Sequence, residues 1–75
     1  MLYLVGIPEK IYTEGDVRRC LIFADETPDE LPTTGSGIEG LPDNCVLYRG
    51  SMIMAWDTGK TYCLGGDGTW RKWGE

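Results

Sequence analysis

The chain has 75 residues, no histidine, a formal net charge of −5 and 41% hydrophobic residues. A chain of this length forms one domain at most, and its core is close to the smallest that folds unaided, so we expect a homo-oligomer or a larger assembly. The acidic balance argues against a nucleic acid or an anionic membrane as the partner, because binding phosphates requires clustered Lys and Arg.

The first part of the chain predicts β-strands. Residues 1–5 are rich in β-favouring side chains and stop before Gly6 and Pro8, so they predict a first strand. Residues 11–13 predict a short second strand. Residues 17–24, VRRCLIFA, predict the strongest strand of this half, because Val, Ile and Phe lie between turn signals. The N-terminus lacks a basic region, so we expect neither a signal peptide nor a membrane span.

Residues 25–45 predict a long loop, because prolines and glycines alternate there with acids and threonines. Short segments at 28–31 and 41–44 are each compatible with one helical turn. We expect Leu31, Ile38 and Leu41 to hold the loop on the core, and the same three residues are candidate interaction residues. A loop of this length in a small domain is often functional or ordered by a partner.

Residues 50–73 predict a three-stranded antiparallel meander with turns at 57–59 and 65–68. A first loop of three residues would pair Met54 with Tyr62. The same geometry in the second turn would pair Leu64 with Trp70. The side chains that this register buries together are Met52, Met54, Tyr62, Leu64 and Trp70.

The same register leaves Trp73 on the opposite face, together with Ile53 and Cys63. Trp73 lies near the end of the chain, beside the charged Arg71. Aromatic and arginine side chains contribute much of the binding energy at protein interfaces. Trp73 and Arg71 are therefore our first candidates for contact with a partner.

The three cysteines, Cys20, Cys45 and Cys63, are widely spaced and form no CxxC motif. Without histidine they give no zinc-binding pattern, so we expect buried free thiols in a protein made in a reducing cytoplasm, and no metal or cofactor site. The alternative is one disulfide plus a free thiol. No residue pattern pairs a nucleophile with a base, and we predict no catalytic residue.

Asp57-Thr58-Gly59 matches the tripeptide of aspartic proteases, in which two such aspartates share a proton. The residue after this glycine is small in those enzymes, whereas it is Lys60 here. An aspartate and a glycine between two alternating strands are also typical of a hairpin turn. We prefer the turn interpretation.

Together these patterns predict a mostly β single domain, 1–75, built as a small antiparallel sheet or a partly open barrel. Its segments are N-terminal strands at 1–24, a Pro/Gly-rich loop at 25–45 and a β-meander at 46–75.

The C-terminal run GSMIMAWDTGKTYCLGGDGTWRKWGE resembles the ending of many small proteins of tailed bacteriophages and prophages. In these, a Gly-Ser opens a strand, a turn with T-G leads to an aromatic residue, and a D-G-x-W lies near the terminus. The preceding LPTTGSGIEGLPDN resembles the loop of such proteins. The first 24 residues match no particular phage protein.

This resemblance implies a non-enzymatic virion component of the capsid decoration, head-fibre or connector type. It would be made in the host bacterial cytoplasm and located in the virion, with itself or a capsid or connector protein as partner. The alternative is a small acidic phage-encoded inhibitor that binds a host or defence protein.

Overall fold

The structure is a computed structural model that describes residues 1–12 and 14–73. These residues form one open, mixed sheet, which confirms the predicted all-β fold. They contain no helix able to cross a membrane. The strands are β1 (Leu2–Tyr12), β2 (Val17–Ala24), β3 (Ile38–Glu39), β4 (Val46–Leu47), β5 (Met52–Ala55), β6 (Thr61–Leu64) and β7 (Trp70–Lys72).

The strand order is β3-β1-β2-β5-β6-β7, with β4 also paired to β2. The predicted meander is present as the antiparallel set β5-β6-β7, and β1 pairs antiparallel with β2. The sheet is nevertheless not antiparallel throughout, because β2 runs parallel to both β4 and β5. A parallel crossover needs a connection of about a dozen residues or more, and the long loop after β2 provides it.

The structure has one continuous strand, β1, where two short strands were expected at residues 1–5 and 11–13. Thr13 lies outside the described residues. The turn signals that suggested a break fall within a bulge. Between the pairs Val5–Leu21 and Glu9–Arg19, β1 has residues 6–8 whereas β2 has a single residue. A bulge accommodates a left-handed glycine, such as Gly6 with φ of 67°, and a proline without an N–H donor.

The central loop covers one face of the sheet and completes the core there. The loop residues Ile38 and Leu41 are buried, and Leu31 packs against the same cluster, which confirms their predicted anchoring role. The indole N–H of Trp70 donates to the carbonyl of Pro32 over 2.8 Å, so the loop is also fixed to β7. The buried apolar residues are Cys20, Ile22, Ala24, Ile38, Leu41, Cys45, Leu47, Ile53, Ala55 and Leu64.

Neither segment compatible with a helical turn is helical. Residues 29–30 form a bend, and residues 42–45 form a tight turn in which the N–H of Cys45 donates to the carbonyl of Pro42 over 3.0 Å.

The register of β5 against β6 differs from the predicted one by a single residue. Ile53 pairs with Tyr62, because the connecting loop has four residues, 56–59, and the N–H of Ala55 donates to the carbonyl of Lys60. A shift of one residue exchanges the two faces of a strand. Ile53 is therefore fully buried, and the prediction that Met52 and Met54 join the core is wrong.

The second hairpin has the predicted register. Leu64 pairs with Trp70, and both side chains contribute to the core face. Gly68, with φ of 81°, provides the left-handed residue that a three-residue hairpin loop requires.

Candidate functional site

The face of the sheet away from the central loop carries two rows of side chains across β1, β2, β5, β6 and β7. We call this surface the outer face. Its first row comprises Tyr3, Phe23, Met54, Thr61 and Trp73. Its second row comprises Val5, Leu21, Met52, Cys63 and Arg71.

Most outer-face side chains are apolar or aromatic, and several are largely exposed. Trp73 is 63% exposed, Val5 40% and Leu21 38%. Trp56, just beyond the first row, is 75% exposed and lies against Phe23 with ring centroids 5.8 Å apart. Exposed apolar surface of this kind is typical of sites that bind another protein, a membrane or a ligand.

Two shallow clefts lie at opposite ends of the outer face. The first has a volume of about 390 Å³, and its lining includes Phe23, Met54, Trp56 and Thr61. The second has a volume of about 400 Å³, and its lining includes Val5, Arg19, Leu21, Gly50 and Met52. The face therefore has an exposed tryptophan beside the first cleft and a second cleft at its other end.

The basic side chains along the outer face are paired within the chain. Arg19 lies 2.6 Å from Glu9, and Arg71 lies 3.1 Å from Asp67. The hydrogen bond between Arg71 and Asp67 lowers the pKa of the carboxyl and raises that of the guanidinium. These ion pairs leave the middle of the outer face without net charge, although the formal net charge of the whole chain is −5.

The two ends of the outer face differ in charge. At the end with the second cleft, the guanidinium groups of Arg19 and Arg49 both contact the ring of Tyr48, at 5.4 and 5.3 Å from its centroid. At the other end, Asp25 accepts a hydrogen bond from the hydroxyl of Tyr3 at 2.7 Å. Asp57 also lies there, in the β5–β6 loop.

The structure separates the five candidate interaction residues into two groups. Trp73 and Arg71 both lie on the outer face, in adjacent rows. Ile38 and Leu41 are 3% and 8% exposed in the core, and Leu31 packs against that core. The two candidates that share a surface are therefore Arg71 on β7 and Trp73 directly after it.

Sequence reasoning missed most of the outer face. It placed Met52 and Met54 in the core and gave no role to Leu21 and Phe23. A signal was present in β2, where residues 21–24 are apolar without interruption. Because successive strand residues point to opposite faces, such a run predicts a strand that is apolar on both sides.

Asp57 occupies the hairpin loop, as the turn interpretation requires. Its Oδ1 accepts hydrogen bonds from the backbone N–H of Thr27 at 2.9 Å and from the Thr27 hydroxyl at 2.8 Å. These bonds lower the pKa of the Asp57 carboxyl. Its contacts connect the hairpin to the start of the central loop.

The three cysteines are free thiols, but the prediction that all three are buried is wrong for Cys63. Cys20 and Cys45 are buried, and burial raises the pKa of both, that of Cys20 to about 11. Cys63 is only partly buried, because it belongs to the outer face. In the described part of the chain, no group of three or more Cys, Asp or Glu residues is arranged to hold a metal ion.

No protein-family model matches the chain, and neither do curated proteins or solved structures.

Proposed function

We propose that the chain is a non-enzymatic structural protein of a phage particle, of the capsid decoration, head-fibre or connector type, and that it assembles through its outer face. The observation that carries this proposal is the apolar outer face. One side of the sheet is covered by the chain's own loop, whereas the other exposes Trp56, Trp73, Leu21 and Val5.

The free energy available from covering this surface is large for so small a domain. Covering the two exposed tryptophans removes on the order of 250 Å² of apolar surface, which contributes about 6 kcal/mol at about 25 cal/mol per Å². Part of that is lost again to the entropy of association. A partner on the outer face therefore accounts for the apolar residues better than exposure to water does.

The phage context of the proposal rests on sequence. The D-G-x-W and T-G segments that resemble virion proteins form the two hairpin loops and the start of β7. In this chain they set the register that turns Trp70 towards the core and Trp73 towards the outer face.

The test is the protein content of purified particles. Virions from the bacterium that encodes the chain are purified by density gradient and quantified by mass spectrometry. We expect many copies per particle, retained through salt washes. Leu21→Glu places a charge in the middle of the outer face and should remove the chain from particles, whereas Ser36→Glu, on the exposed central loop, should not.

Absence of the wild-type chain from the particles contradicts the proposal. One stoichiometric host protein captured by the chain, together with that absence, supports the inhibitor instead.

A further inference from the structure

We propose that the partner on the outer face is a second copy of this chain, stacked face to face about a two-fold axis that crosses the strands. The inference rests on the proposed function, because it names the occupant of the same surface. Closed two-fold dimers are the commonest homo-oligomers, and each uses one self-complementary surface on both subunits.

The two-fold axis fixes which residues meet. The axis lies midway between the two stacked sheets and runs parallel to the two rows, between them. Each strand therefore faces the same strand of the partner and runs antiparallel to it. The first row of one chain then covers the second row of the other. Phe23 meets the partner's Leu21, Met54 meets the partner's Met52, and Trp73 meets the partner's Arg71.

These pairs are chemically compatible. An aromatic ring on a branched aliphatic side chain and a thioether on a thioether form close apolar contacts. A guanidinium over an indole is a favourable cation–π pair. The arrangement thus uses both C-terminal candidates, Trp73 and Arg71, in one contact.

The shape of the outer face supports the same orientation. Trp56 is exposed just beyond the first row, where the two-fold axis places it over the partner's second cleft. That cleft is about 400 Å³ in volume, and its lining includes Leu21, Gly50 and Met52. Arg19 lines it and can contact the incoming indole.

The charges at the two ends support it as well. Asp25 and Asp57 lie at one end together with Lys60, and Arg49 lies at the other beside the ion pair of Arg19 and Glu9. An axis across the strands brings the end with more carboxylates over the partner's end that carries Arg49. An axis along the strands would instead place the carboxylates of both chains together, which costs free energy.

The layout of the outer face suits the stacking of two sheets. Its two rows cross five neighbouring strands, which lie about 4.8 Å apart in a sheet. Two such sheets, about 10 Å apart, would form a β-sandwich.

The first experiment measures solution mass by light scattering and sedimentation equilibrium. We expect twice the chain mass of 8.4 kDa for the wild type. Trp56→Ala should raise the dimer dissociation constant at least about tenfold. Leu21→Glu should give a monomer and Ser36→Glu a dimer, with circular dichroism showing that each is folded. A wild-type monomer at millimolar concentration overturns the inference.

The second experiment tests orientation. A photo-crosslinking amino acid replaces Trp56, and the protein is mixed with ¹⁵N-labelled wild type so that intermolecular products are recognised by mass. We expect crosslinks to the partner's peptides that contain residues 5–9, 19–21 or 50–52. Crosslinks to the partner's residues 23–27 or 56–58 overturn the crossing axis.

The two proposals fail separately. A dimer in solution that is absent from particles contradicts the phage function and leaves the dimer intact. A chain that is present in particles yet monomeric in solution contradicts the dimer and leaves the phage function intact.

Discussion

The hydroxyl of Ser51 accepts a hydrogen bond from the backbone N–H of Cys20 over 3.1 Å. It also donates to the carbonyl of Tyr48 over 2.7 Å. Ser51 is fully buried and lies where β2 changes its parallel partner from β4 to β5. At such a change the ladder leaves backbone groups unpaired, and the side chain replaces the missing strand contact.

Ser51→Ala should destabilise the fold by about 1–3 kcal/mol, because it leaves the buried N–H of Cys20 without its partner. The measurement is urea unfolding at a fixed protein concentration, since dimer formation also changes apparent stability. Ser36→Ala, on an exposed loop, is the matched control and should change stability by less than about 0.5 kcal/mol. Equal effects of the two substitutions would contradict the role of Ser51.

How far the sequence predicts this fold depends on whether the deciding contacts are local. The strand Val17–Ala24 and the pairing of Leu64 with Trp70 follow from neighbouring turn signals, and both predictions are confirmed. The parallel pairing of β2 with β5 follows from packing of the central loop over the sheet, a contact between distant segments that no local pattern encodes.

The candidate site was predicted only in part for the same reason. Trp73 was correctly placed outside the core, because the second hairpin fixes its face. The remainder of the outer face depended on the length of the first hairpin loop. Trp56 belongs to that loop, and this one extra residue reverses the faces of Met52, Ile53 and Met54.

The contacts of Asp57 predict a pH dependence. Hydrogen bonds from the N–H and the hydroxyl of Thr27 lower the pKa of Asp57 from its ordinary 3.8. A carboxyl whose pKa is lower in the folded than in the unfolded state stabilises the fold at pH values above its unfolded-state pKa. That stabilisation is lost as pH falls through the folded-state pKa. The stability difference between wild type and Asp57→Asn should therefore shrink as pH falls below 3.8.

Carboxyl ¹³C titration by NMR provides the direct measurement for Asp57. Thr27→Val removes the hydroxyl and should raise the pKa of Asp57 towards its ordinary value, whereas Thr27→Ser keeps the hydroxyl and should preserve the lowered pKa. Titration of wild-type Asp57 at or above 3.8 would show that these bonds do not form in solution.

The cysteines should differ in reactivity according to the face on which each lies. Cys20 is buried with a pKa of about 11, so at pH 8 only about one molecule in a thousand carries the reactive thiolate. Cys20 and Cys45 should therefore be alkylated only in molecules whose fold has opened. In urea all three cysteines should react. Peptide mass spectrometry after timed iodoacetamide treatment distinguishes the sites.

Cys63 should react in the native monomer, because it lies on the outer face and is only partly buried. In the proposed dimer the partner's first row covers it, so its alkylation should slow as protein concentration rises through the dissociation constant. In Leu21→Glu the rate should be independent of concentration. A concentration-independent rate in the wild type would show that Cys63 stays uncovered, which the stacked arrangement does not allow.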